Sequence, residues 1–145
     1  MHAEKTQSSK FSFPRPMINS DCFNFSFSGL KTHVINALQK IELTDESIND
    51  VSFELQDSIV ETLISKSLKA SQDHGIKNIV VTGGVSANKR LRDKFSQVSG
   101  FDVFFPDVKF STDNGAMIAY AGFLKSRSSD IEKNFKIKPN PSLTL

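Results

Sequence analysis

The sequence predicts a layered α/β domain with short parallel strands packed against helices. Three observations lead there. Two short apolar runs, Ile79-Val80-Val81 and Val103-Phe104-Phe105, are each closed by a chain-breaking residue, Gly83-Gly84 for the first and Pro106 for the second. Each run is flanked by stretches with apolar residues at helical spacing. The order after Asn49 is therefore helix, strand, helix, strand, helix, the signature of parallel pairing through crossover helices.

Taken in chain order, the segment through Asn19 has no regular period. Phe11, Phe13 and Met17 alternate with Pro14 and Pro16, and proline lacks an amide donor and disfavours helix in the residue before it. An extended arm over residues 1–20, laid against an apolar surface, is expected. Phe23, Phe25 and Phe27 then alternate with Asn24, Ser26 and Ser28, a period of two that predicts a half-buried strand. A helix starts at Ser28 or Gly29, with Leu30, Val34, Ala37, Leu38 and Ile41 on one side.

After a polar link at Thr44 to Asn49, a second helix is expected from about Ile48 to Asp73, with Gly75 as its stop. Ile76 to Thr82 reads as a buried parallel strand. Ser86-Ala87-Asn88 opens a helix with Leu91 and Phe95 inward, Val103 to Phe105 is the next strand, and Asp113 to Lys125 the last helix. The expected division is arm 1–20, α/β lobe 21–126 and irregular tail 127–145.

Composition narrows the function classes. A chain of 145 residues with 38% hydrophobic content can bury about 70% of its unfolded surface. No apolar run approaches the ~20 residues of a membrane helix, and the first ten residues lack the apolar core of a secretory signal. A cytoplasmic location without membrane contact is expected. Eighteen Lys and Arg against sixteen Asp and Glu give +2, too little for nucleic-acid binding to follow from bulk charge. The lone Cys22 allows neither an internal disulfide nor a cysteine-built zinc site. A nucleophilic role for it would require a base that the sequence does not identify.

Three segments carry possible chemistry. IVVTGGVSAN (79–88) runs from strand through a glycine pair into a helix start. Glycines let a ligand approach the backbone, and free amides of a first helical turn favour anions. It matches neither GxxxxGK[ST] nor GxGxxG, so a plain tight turn remains an open reading. In FSTDNGAMIA (110–119), Asp113 and Asn114 sit where a strand-end loop becomes a helix, and Asp113 is the residue with two possible uses. There it either caps the helix, the commoner use, or offers a carboxylate to a cation. Ser26-Phe27-Ser28-Gly29-Leu30-Lys31-Thr32 offers hydroxyls and Lys31 to a phosphate or RNA backbone, and ordinary capping explains them equally.

FPRPM (13–17), FSFSGLKT (25–32), VTGGVSANKRLR (81–92) and STDNGAMIAYAG (111–122), in this order and spacing, resemble the C-terminal half of the TsaD family, formerly labelled glycoprotease or O-sialoglycoprotein endopeptidase. The resemblance implies the C-terminal lobe of an actin-like, sugar-kinase and heat-shock ATPase (ASKHA) fold. It also implies a transferase moving a threonylcarbamoyl group from its adenylate to N6 of the adenosine beside the anticodon of tRNA. By that likeness Asp113 is a ligand of one divalent metal ion, iron or zinc. Asn88, with Gly83 and Gly84, contacts the nucleotide part of the substrate, the threonylcarbamoyl-adenylate or an ATP-like molecule. The implied partners are tRNA, a paralogous TsaB-like subunit, a TsaE-like ATPase and the missing N-terminal half, which in the family carries an H-x-x-x-H metal pair. An isolated chain is then expected to be inactive, whether excised domain, split gene product or truncated reading frame. A non-catalytic partner-binding module and a metallopeptidase are the alternatives, the latter without an HExxH helix in this sequence.

Overall fold

The computed structural model describes residues 2–4 and 8–128. The chain divides into two compact units between Thr112 and Asp113. In the first, α1 (Ser28–Leu38), α2 (Asp45–Asp73) and α3 (Lys89–Ser96) accompany strands β1 (Asn78–Val80) and β2 (Asp102–Phe104). The second contains α4 (Gly115–Ser128). β1 and β2 pair in parallel, Ile79 opposite Val103, with α3 as the crossover. The mixed helical and parallel-sheet architecture is that of an α/β fold.

Helix α2 organises the first unit because both of its apolar sides are used. Near its start, Val51 joins Phe13, Leu30 and Val34 in one buried cluster, so the proline-interrupted arm and α1 pack together on this end. Further along, Val60 meets Leu91 and Phe95 of α3, with Val81, Val103 and Phe105 packed against them. Gly75, at φ +65, ends the helix. Ile76 N–H donates to Ser71 O and Gly75 N–H to Gln72 O, the paired bonds that satisfy last-turn carbonyls.

Four expectations need correction. α2 begins at Asp45 rather than about Ile48, because Thr44 and Ser47 exchange side-chain to backbone hydrogen bonds in a capping box. That device stabilises the first turn without the usual Glu or Gln at the third position. The segment Phe23 to Phe27 forms no strand. A ladder needs a neighbouring chain, and here the three phenylalanines stay exposed, Phe25 stacked on Phe27 at 6.0 Å and Phe23 against His74. β1 is not buried as a parallel strand should be: Val80 is 69% exposed, since within this unit the helices cover one face only. The last helix runs Gly115–Ser128 rather than Asp113 to Lys125, so residues 127 and 128 of the expected irregular tail are helical. The sequence also concentrates Lys133, Lys136 and Lys138 near its end, and these lie outside the described residues.

Ion pairs lock arm, α2 and α3 together. Asp57 accepts from Arg90 Nε at 2.5 Å and lies 2.7 Å from Lys94 Nζ, while Arg15 binds Glu54 and Glu61 at 2.5 and 2.8 Å. Burial alone would raise the Asp57 pKa, yet the hydrogen bonds from Arg90 and Lys94 hold it below the usual carboxylate value. Lys66 is fully buried and donates to Ser20 O, Ser20 Oγ and Cys22 O, pinning the turn that leads into the phenylalanine segment.

Candidate functional site

The glycine pair follows β1 as the spacing implied, and the two glycines differ. Gly83 has φ +86 and ψ 175, a region that side-chain-bearing residues essentially do not enter. Gly84 has no such requirement, and a Cβ on either would meet nothing within 4 Å. Gly83 is thus demanded by backbone conformation, not by crowding. We expect Gly83→Ala to destabilise by about 1–3 kcal/mol, measured by urea unfolding. Gly84→Ala should stay within about 0.5 kcal/mol; equal costs would contradict the distinction.

Gly84 to Ala87 form a single 3-10 turn, and Asn88 then serves as the cap of α3. Its Oδ1 accepts from Leu91 N–H at 3.0 Å, which leaves the Nδ2 group as the part of Asn88 able to donate elsewhere. Gly84, Asn88, Phe53, Arg90, Asp93 and Lys94 line a cavity of about 940 Å³. Three cations line it, Lys89, Arg90 and Lys94, and two of them are engaged: Arg90 lies 4.5 Å over the Phe53 ring, and Lys94 lies 2.9 Å from Glu61. The cavity can hold a polar ligand against the glycine turn, with the Asn88 amide as a hydrogen-bond donor.

In the second unit, the cap of α4 is Asn114, whose Oδ1 accepts from Met117 N–H at 2.9 Å. Asp113 is exposed, and no hydrogen bond or ion pair engages its carboxylate among the described residues. Of the two uses open to that carboxylate, the neighbouring residue has taken the cap. A carboxylate oxygen can serve as one ligand of a divalent cation. Among the described residues no group of three or more His, Cys, Asp or Glu is placed to hold a metal, so further ligands beside Asp113 would have to come from outside the described residues.

The lone thiol is exposed. Ser20 Oγ lies 3.4 Å from Cys22 Sγ, and the hydrogen bonds from Ser20 and the Asn24 backbone hold its pKa below the ordinary thiol value. No histidine pairs with it among the described residues, so the base that nucleophilic use requires is not supplied there. No helix of the described residues is long and apolar enough to cross a membrane.

Sequence reasoning missed Arg92. Its Nε donates to Ser86 O at 2.6 Å and its Nη2 to Pro106 O at 2.7 Å, while the guanidinium lies 4.8 Å over the Phe105 ring. In the sequence it is one of four cations in a row of six residues, indistinguishable from a solvated helix face.

Comparison with known proteins identifies the relatives. The family model described as tRNA N6-adenosine threonylcarbamoyltransferase matches residues 1–120. A protein of that name from Ralstonia pickettii is 46% identical over 123 residues, covering 79% of this chain and 35% of the relative. One from Nitrosospira multiformis is 44% identical over 131 residues, 88% of this chain and 38% of the relative. One from Chromobacterium violaceum is 40% identical over 150 aligned positions, 98% of this chain and 44% of the relative. The chain thus spans about two fifths of the length of the curated relatives it matches. With the glycine turn and the STDN motif inside the matched residues, this chain belongs to the tRNA N6-adenosine threonylcarbamoyltransferase family.

Proposed function

We propose that these residues form the C-terminal lobe of a two-lobed, ASKHA-type transferase that moves a threonylcarbamoyl group from its adenylate to N6 of an adenosine in tRNA. The observation that carries the reading is the division of labour at the start of α4: Asn114 takes the cap, leaving the Asp113 carboxylate for a cation. Two features support a lobe completed by other polypeptide. The small parallel sheet is covered by helices on one face of its own unit, and the Phe23 to Phe27 segment has strand alternation with no strand beside it among the described residues. Both fit a chain that is about two fifths of its relatives' length.

In this reading Asp113 is one ligand of an iron or zinc ion, and the remaining ligands come from the rest of the enzyme. When bound, that ion would supply a positive charge able to polarise the carbonyl of the mixed anhydride and neutralise the leaving phosphate. The chain's own contribution is orientation. Gly83 turns the backbone away from β1 so that Gly84 and the Asn88 amide face the cavity, where they hold the nucleotide end of the adenylate. The carbon–oxygen bond to the phosphate breaks, the bond to N6 forms, AMP leaves with its electron pair, and N6 loses a proton. Partners follow from the same reading: tRNA, a paralogous TsaB-like subunit and a TsaE-like ATPase, in the cytoplasm.

The test is transfer itself. The complete enzyme carrying this segment, given tRNA and threonylcarbamoyl-adenylate with its partner subunits, should yield the modified nucleoside by mass spectrometry of digested tRNA. Unmodified tRNA from an otherwise metal-loaded and folded enzyme would refute the assignment.

A further inference from the structure

We propose that Arg92 is a positioning residue, a clamp that holds the glycine-rich turn to the loop after β2 and so sets the substrate-facing backbone. The turn's own hydrogen bonds are local: Ser86 N–H donates to Gly83 O and Asn88 N–H to Val85 O. They shape the turn and do not fix it to anything else. The second loop is likewise held by local bonds, Phe110 N–H to Asp107 O and Ser111 N–H to Val108 O. Arg92 joins the two. Its Nε donates to Ser86 O at 2.6 Å, between the glycine pair and Asn88, and its Nη2 to Pro106 O at 2.7 Å. The same Nη2 lies 3.4 Å from Ser111 Oγ, a longer contact to a hydroxyl that is 2% exposed.

A guanidinium suits this task because its donors leave a rigid plane in fixed directions and that plane can stack on a ring. The Phe105 ring, 4.8 Å away, supplies the stack. Phe105 in turn packs edge-on against the buried Phe95 at 5.9 Å, which anchors the clamp to the core. A lysine has one ammonium and no plane, so it cannot bond at two edges while stacked. Arg92 is not among the residues that line the cavity beside the glycine turn. It acts through Ser86, two residues before Asn88, and through the loop whose sequence continues to Asp113. The catalytic consequence rests on the function proposed above; the mechanical one does not.

The experiment uses the complete enzyme with Arg92→Gln and Arg92→Lys and reads amide exchange by mass spectrometry alongside kinetics. In Arg92→Gln, exchange at residues 83–88 and 106–111 should rise together by about tenfold or more, as local opening becomes easier. The KM for threonylcarbamoyl-adenylate should rise by about tenfold with kcat within about threefold, the pattern of lost ground-state positioning. Arg92→Lys, which keeps the charge, should fall nearer to Arg92→Gln than to the parent in both readouts. Exchange that rises in only one stretch, or in neither, would overturn the clamp, as would parental behaviour of Arg92→Lys. Should Arg92→Gln fail to fold, Arg92→Lys alone decides by the same criteria. If the parent enzyme shows no transfer, the function proposed above fails, while the exchange result still decides the clamp.

Discussion

Asp113→Ala is expected to remove metal and abolish transfer in the complete enzyme while leaving the fold intact. The side chain is exposed and engages no partner among the described residues, so its loss should change stability by no more than about 0.5 kcal/mol. The cap of α4 is untouched because Asn114 provides it. Deleting a direct metal ligand should lower metal affinity and turnover by at least about 100-fold, since losing an outer-shell partner alone already costs 10–100-fold. Metal content after dialysis and single-turnover rates measure the two effects. Asn114→Ala should behave oppositely, costing about 1 kcal/mol as a lost cap. Turnover unchanged in Asp113→Ala would remove the catalytic reading.

The largest expected stability effect is at Phe95. This side chain is 3% exposed, clusters with Leu91 and Val60, and meets Phe105 edge-on at 5.9 Å. Phe95→Ala deletes a ring from the junction of α2, α3 and the sheet and should cost about 3–5 kcal/mol. That is a large share of the roughly 5–15 kcal/mol that holds a domain together. Phe25→Ala, at a ring 46% exposed, should by contrast change this chain's stability by under about 0.5 kcal/mol. Urea unfolding of both variants would show it, and a Phe95→Ala cost below about 1 kcal/mol would mean that the core lies elsewhere.

Local signals read well in the sequence wherever one residue type had one physical use. Leu91 and Phe95 at helical spacing become the inward side of α3, and Gly75 ends α2 in the left-handed conformation that glycine permits. The capping box at Thr44 escaped notice because its third position is Ser47 instead of the usual acid or amide. The Phe23 to Phe27 alternation states that one side is apolar, not that a neighbouring strand is at hand. Neighbours are a long-range fact, and so is the ion-pair lattice in which Arg15 meets Glu54 across 39 residues.

The candidate site divides in the same way. The glycine pair was legible as a chain break after a strand, and the φ of +86 at Gly83 demands the absence of a Cβ; the pair alone did not say whether the turn meets a ligand. Asp113 and Asn114 were not separable by sequence, since both residue types cap helices. Only the position of the Asn114 Oδ1, 2.9 Å from Met117 N, distinguishes them. Asn88 was expected to contact substrate, and its Oδ1 is spent on Leu91 N–H. The likeness to a family pointed to the residue without indicating which of its atoms remains available. Arg92 was hidden among Lys89, Arg90 and Lys94, because a helix face of cations is ordinarily solvated.

The most direct measurement is a crystal structure of the complete enzyme with its metal and a non-reactive analogue of the adenylate. A carboxylate oxygen of Asp113 should stand about 2.0–2.2 Å from the ion, with the nucleotide lying against Gly84 and the Asn88 amide. An ion held wholly by other residues, or a nucleotide bound away from the glycine turn, would contradict the claim that this stretch supplies part of the reaction centre.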